Sequence, residues 1–184
     1  ASRPSPVTRK KFRPVTGDRR PATGDRMLIT NIGQLATNAS GTPGDLGLIR
    51  DAAVVITDDT VTWAGSASDI PRKHRDAEEF DAAGRAVLPG FVDAHTHLVF
   101  AGDRSDDFAR RLRGESYERI LAAGGGIHST VAATRAASLP VLIAMSMVRA
   151  QRMLRAGTTT VEVKSGYGLT TDDEVRILHV AAGL

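Results

Sequence analysis

From residue 91 onward, stretches rich in β-forming residues alternate with stretches of helical periodicity, and no other feature limits the possible folds so tightly. The run FVDAHTH is followed by a polar helical pattern over 104–122, then by two more over 127–137 and 139–156. Pro140 suits the first turn of the last of these. A second β-rich run, TTTVEVK, covers 158–164, and 172–182 reads as a helix with Asp172, Asp173 and Glu174 gathered at its positive end. Neighbouring parallel strands need a crossover of about a dozen residues or more, which helices supply. Strand, helices, strand, helix therefore predicts βα units on a parallel sheet, an α/β fold.

The preceding part reads differently. Short β-rich runs at 27–32 and 52–57, and a third at 60–64 after an Asp58-Asp59 turn, predict a small β unit. Turn-forming residues fill 36–44, which predicts a surface loop, and 80–88 leads into the α/β region. Residues 1–26 hold eight of the 24 Lys and Arg but two of the 21 acids, so this segment carries +6 and the rest of the chain −3. Rich in Pro and Arg and poor in large apolar residues, it is expected to be a disordered basic tail. One aromatic, Phe12, and no basic helical face argue against a nucleic-acid arm. Met27 opens the first β run and is a candidate natural start. The expected organisation is a tail at 1–26, a β portion at 27–86 and an α/β portion at 87–184.

At 41% apolar residues the chain can bury a core and reads as a soluble globular protein. It has neither a run of about 18 apolar residues nor a secretory pattern, so no membrane association and a cytoplasmic location are expected. Without cysteine, any metal site must use histidine and carboxylates.

Two histidines stand out in PGFVDAHTHLVFAGDR. Strand residues two apart face the same way, so His95 and His97 would project together, with Asp93 in the same row. Two neutral imidazoles so placed can grip one cation, at the strand end where barrel enzymes keep their chemistry. The plain alternative is a pair of satisfied polar side chains on a half-exposed strand. Spacing alone leaves both open.

Three blocks, LPGFVDAHTHLVFAGDRSDDF, GGGIHSTVAATRAAS and GTTTVEVKSGYGL, resemble the N-terminal half of the imidazolonepropionase family of metal-dependent amidohydrolases, over about residues 27–178. The resemblance implies the first part of a (β/α)8, TIM-like barrel preceded by part of a small β-sandwich. It implies one metal ion, zinc or iron, held in part by His95 and His97, and substrate contacts from Arg104, Tyr167 and Tyr117. The implied reaction is hydrolysis of 4-imidazolone-5-propanoate to N-formimino-L-glutamate in histidine degradation, by a homodimer. A metal that lowers the pKa of its water towards ~7 suits such a reaction, and the arginine fork suits a propanoate. Read without the family, Arg104 is a solvated helix-start residue and the tyrosines are packed rim aromatics.

Other features keep two readings. Lys164 shares a strand face with Glu162 and is expected to be an ion-pair partner rather than a carboxylated metal bridge. GGGIHST lacks the lysine of a phosphate-binding loop and is expected to be a flexible substrate-side loop capped by Ser129. His74, His128 and His179 are assigned to no metal. From Val87 to Leu184 there are 98 residues, against about 250 in a complete barrel. The barrel is thus expected to be incomplete, with the general base and remaining ligands beyond Leu184 and the isolated chain inactive. A related cyclic amidohydrolase or deaminase, and a non-catalytic interaction module, are the alternatives.

Overall fold

A computed structural model describes residues 26–39, 41 and 45–184. The tail expected at 1–26, apart from Arg26, and part of the loop expected at 36–44 lie outside the described residues. These fall into two units, 26–89 and 90–184.

The first unit is one mixed sheet. Strand β1 (Arg26–Ala36) pairs antiparallel with β2 (Leu48–Thr57), which pairs antiparallel with β3 (Thr60–Ser66). The β2–β3 turn is the expected Asp58-Asp59, with Asp58 at φ 53°. Strands β4 (Glu78–Asp81) and β5 (Ala86–Val87) run parallel to β1 on its other edge. One extra residue in β1 between Ile29 and Ile32 shifts the register, and Asn31 takes φ 51° there, a conformation asparagine tolerates. The continuous apolar run Ala52-Ala53-Val54-Val55 is buried on both faces of the sheet. Ala52 and Val54 pack with Ile32, Leu35 and Ala82, while Ala53 and Val55 pack with Leu28, Trp63, Ile70 and Ala77. Gly33 is required where β1 meets the turn before β5, because a Cβ there would lie 2.3 Å from the Gly84 carbonyl oxygen.

The second unit carries the βα alternation. Strands β6 (Phe91–Thr96) and β7 (Thr158–Val163) pair in parallel, from Phe91 opposite Thr158 to Thr96 opposite Val163. Between them lie α1 (Ser105–Leu112), α2 (Tyr117–Ala122), α3 (Ile127–Ala136) and α4 (Leu139–Arg155), and α5 (Thr171–Gly183) follows β7. The helical pattern over 104–122 is two helices, since Gly114 at φ 88° ends the first and the Ser116 hydroxyl caps the second by accepting from Arg119 N–H. The core is formed by Val99, Ala101, Leu142, Ile177 and Val180. It draws on the segment after β6 and on α4 and α5 rather than on β6 itself, whose Phe91 and Val92 are exposed. The architecture is mixed α/β, and neither sheet closes on itself among the described residues. No described helix is long and apolar enough to cross a membrane.

Leu142 is fully buried at the centre of this core. Leu142→Ala should lower unfolding free energy by about 2–5 kcal/mol, read by chemical denaturation. Val141→Ala, at a neighbouring position 46% exposed, should cost under about 1 kcal/mol by the same measurement.

Candidate active site

His95 lies within β6, but the strand ends at Thr96 and His97 is the first residue beyond it. The two rings still meet, with centroids 5.4 Å apart at 73°. Asp93 does not complete a triad: its Oδ1 accepts the backbone N–H of His95 at 3.0 Å. The carboxylate is thereby engaged on its own strand.

His97 is the more enclosed ring. The loop after β7 lies on it, and Gly166 is needed there twice over. Its φ of 142° disfavours a side chain, and a Cβ would come within 2.9 Å of His97 Cε1 and 3.2 Å of Nδ1. His97 Nδ1 is buried and has no hydrogen-bond partner among the described residues. Tyr167, next in that loop, packs its ring 5.3 Å from His97 and 5.6 Å from Phe100. The Arg104 guanidinium carbon sits 5.7 Å from the Tyr167 ring centre.

Among the described residues Arg104 is fixed at one end only. Its Nε donates to Thr130 Oγ1 of α3 at 2.9 Å, and among the described residues it has no carboxylate partner. The terminal fork thus remains available for an anion. Thr130, buried and accepting from Arg104, carries no signal in the sequence that would have marked it. Tyr117 stands outside this group. Its hydroxyl lies against Gly126 at the start of α3, where a Cβ would come within 3.3 Å of it. The structure therefore brings His95, His97, Arg104 and Tyr167 together, with Tyr117 on an adjoining element.

Three supporting residues have no motif to announce them. Asp107 Oδ2 accepts the Gly126 N–H at 2.7 Å and so fixes the glycine-rich turn. The expected Ser129 cap is corrected by this, since Ser129 Oγ donates to the Gly126 carbonyl and caps no N–H. Arg149 of α4 donates to the Leu98 and Phe100 carbonyls at 3.1 and 2.8 Å, with its guanidinium 3.5 Å above the Phe100 ring. Burial, with Arg152 nearby, holds it below the usual arginine range. Glu174 accepts two N–H bonds from the loop carrying Tyr167. Burial pushes its carboxyl up, but the N–H of Leu169 and the other donors around it outweigh that and leave it below the usual range.

The remaining residues singled out in the sequence lie elsewhere. Lys164 forms an ion pair with Glu162. His74 is buried in a short 3-10 turn of the other unit. His128 lies within α3 rather than in the glycine-rich loop, and His179 is on α5; both are exposed.

A metal at tetrahedral geometry, ~2.0–2.1 Å from each nitrogen, spaces two imidazole centroids roughly 5 Å apart, which the observed pair matches. A buried ring nitrogen without a partner also costs about 1–3 kcal/mol unless something meets it. These residues fit two ligands of a metal site. Among the described residues no group of three His, Asp or Glu is placed to hold a metal.

No family model matches the chain. It is 48% identical over 155 residues to imidazolonepropionase from Hyphomonas neptunium, covering 82% of this chain and 38% of that protein. It is 52% identical over 154 residues to imidazolonepropionase from Streptomyces griseus, covering 82% and 37%. The matched segment is about half identical to imidazolonepropionases. The chain spans under two-fifths of the length of these relatives. In fold it resembles a mutant of atrazine chlorohydrolase from Arthrobacter aurescens TC1, solved with zinc and atraton. That match has a TM-score of 0.50 and 17% identity, over 86% of this chain and 33% of the other. At such identity the likeness concerns fold alone. The histidine pair lies within a stretch that is about half identical to these imidazolonepropionases.

Proposed function

We propose that this chain is part of an imidazolonepropionase, hydrolysing 4-imidazolone-5-propanoate to N-formimino-L-glutamate. The observation that carries the reading is a guanidinium with an unused fork stacked on the same tyrosine that packs against the histidine pair. In that reaction water's oxygen joins the ring carbonyl carbon, the adjoining ring C–N bond breaks, and the departing nitrogen takes up a proton. A bound zinc or iron supplies an activated water near neutral pH. His95 and His97 would hold that ion by two of its bonds. Arg104 binds the propanoate through its two terminal nitrogens, with Thr130 keeping the third from turning away. Tyr167 walls the ring side and shields the guanidinium from water, and Tyr117, beside Gly126, is the further substrate contact that the family likeness implies. The general base and the rest of the ligand set lie outside the described residues.

On the same reading, β6, β7 and their helices are the first βα units of a (β/α)8 barrel at 87–184. The mixed sheet is then part of a small β-sandwich at 27–86. The full-length protein is a cytoplasmic homodimer that takes a small-molecule substrate and neither nucleic acid nor membrane.

A deaminase acting on an exocyclic amine has no propanoate to bind, so Arg104 separates the readings. In a version extended to the length of the relatives, Arg104→Ala should raise KM for imidazolone propanoate by about 10- to 100-fold, the loss of charge-assisted hydrogen bonds. Metal content should be unchanged. An unaltered KM would sink the assignment of Arg104 to the propanoate and favour the deaminase reading.

A further inference from the structure

We propose that Glu174 is a positioning residue, holding Tyr167 against His97 and Arg104 by clamping the loop 165–170 in a backbone conformation that it would not keep unaided. The inference rests on the functional reading above, which gives Tyr167 its place beside the substrate. Leu169 takes φ 56°, a left-handed conformation that side chains disfavour, and its own side chain is 55% exposed, with little packing to hold it there. What holds it is one oxygen: Glu174 Oε1 accepts from Gly168 N–H at 2.8 Å and from Leu169 N–H at 2.7 Å. On the other side Arg135 Nε donates to the Gly168 carbonyl at 2.6 Å, while also meeting Asp173 Oδ2 at 3.2 Å. Gly168 is pressed onto the first turn of α5 so closely that a Cβ would lie 2.6 Å from the Glu174 nitrogen. Both peptide groups that follow Tyr167 are therefore tied down, and the ring is aimed by them.

A helix cap would be the ordinary use of a carboxylate in the first turn of α5. That use is already filled: Thr170 is the N-cap, its hydroxyl accepting from Asp173 N–H. The Glu174 carboxylate spends Oε1 on the loop instead, while Oε2 is buried with no hydrogen-bond partner among the described residues. It touches neither histidine nor Arg104, so it acts through Tyr167.

Backbone amide exchange separates the clamp from a structural role. In the 184-residue chain, Glu174→Ala should speed exchange at Gly168 and Leu169 by about tenfold or more, while Ile177 and Val180 in α5 are unmoved. Leu169→Gly on that background removes the side-chain penalty and should recover part of the protection. In the extended chain Glu174→Ala should raise KM for imidazolone propanoate about tenfold, with partial recovery by the same second change. Unchanged exchange at Gly168 and Leu169, an equal rise through α5, or no recovery by Leu169→Gly would each overturn the clamp. If the unmodified extended chain does not hydrolyse imidazolone propanoate, the functional reading falls while the exchange result still decides how the loop is held.

Discussion

Alanine at His95, in a chain extended to the length of its relatives, removes bound metal and hydrolysis together. Two of the expected metal bonds come from one short stretch, and a catalytic site that keeps three or four ligands cannot lose one without exposing a weakly held ion. Changing a group that merely orients a ligand typically costs 10–100-fold in affinity or activity. Loss of the ligand itself should reduce turnover by about 10³-fold or more, with metal per chain falling below roughly a tenth by elemental analysis. His95 is the cleaner of the two tests because its side chain is exposed. His97 packs against Gly166 and Tyr167, so its removal also loosens the loop. Retention of one metal per chain with ordinary turnover in His95→Ala would exclude this pair as ligands.

The 184-residue chain alone should hydrolyse no imidazolone propanoate even with zinc or iron added, and should self-associate. Two imidazoles neither restrain an ion nor fix a water against a substrate, and no third ligand is placed among the described residues. Strands β6 and β7 form a sheet of two, while Phe91 and Val92 on β6 are 55% and 68% exposed. Parallel sheets are ordinarily covered on both faces, and uncovered edges and apolar faces promote association. Adding the remaining part of a relative in trans should restore some activity. Solution mass and an assay decide the matter: a stable monomer that turns over the substrate would refute the prediction.

The elements were readable where periodicity was strong. The patterns at 127–137, 139–156 and 172–182 became α3, α4 and α5 with ends shifted by a residue or so, because capping and helix period are local properties. The break at Gly114 was missed because polar helix formers continue on both sides of it. The strand carrying the histidines ends at Thr96, one residue short of the β-rich run, since alternation does not register where pairing with β7 ends. At the candidate site, the histidine pair was marked by spacing, and Arg104 and Tyr167 only by family likeness. Thr130, Asp107, Arg149 and Glu174 were not: each acts through hydrogen bonds to another element or to a loop backbone, and a lone threonine, carboxylate or arginine on a helix leaves no pattern. Asp93 shows the converse, a residue on the right face whose carboxylate is engaged by its own strand.

Arg149 reaches the Leu98 and Phe100 carbonyls across 51 and 49 residues of chain. The loop that covers His97 comes from still further along, after β7. The two histidines are neighbours in sequence and leave the ribosome together, yet what aims them is synthesised later. Contacts that distant form only after the intervening chain has closed, so the site is among the last parts of this unit to take shape. A cation met early finds only a pliable strand with two imidazoles. On the proposed reading, a metal would be captured only after this unit has folded.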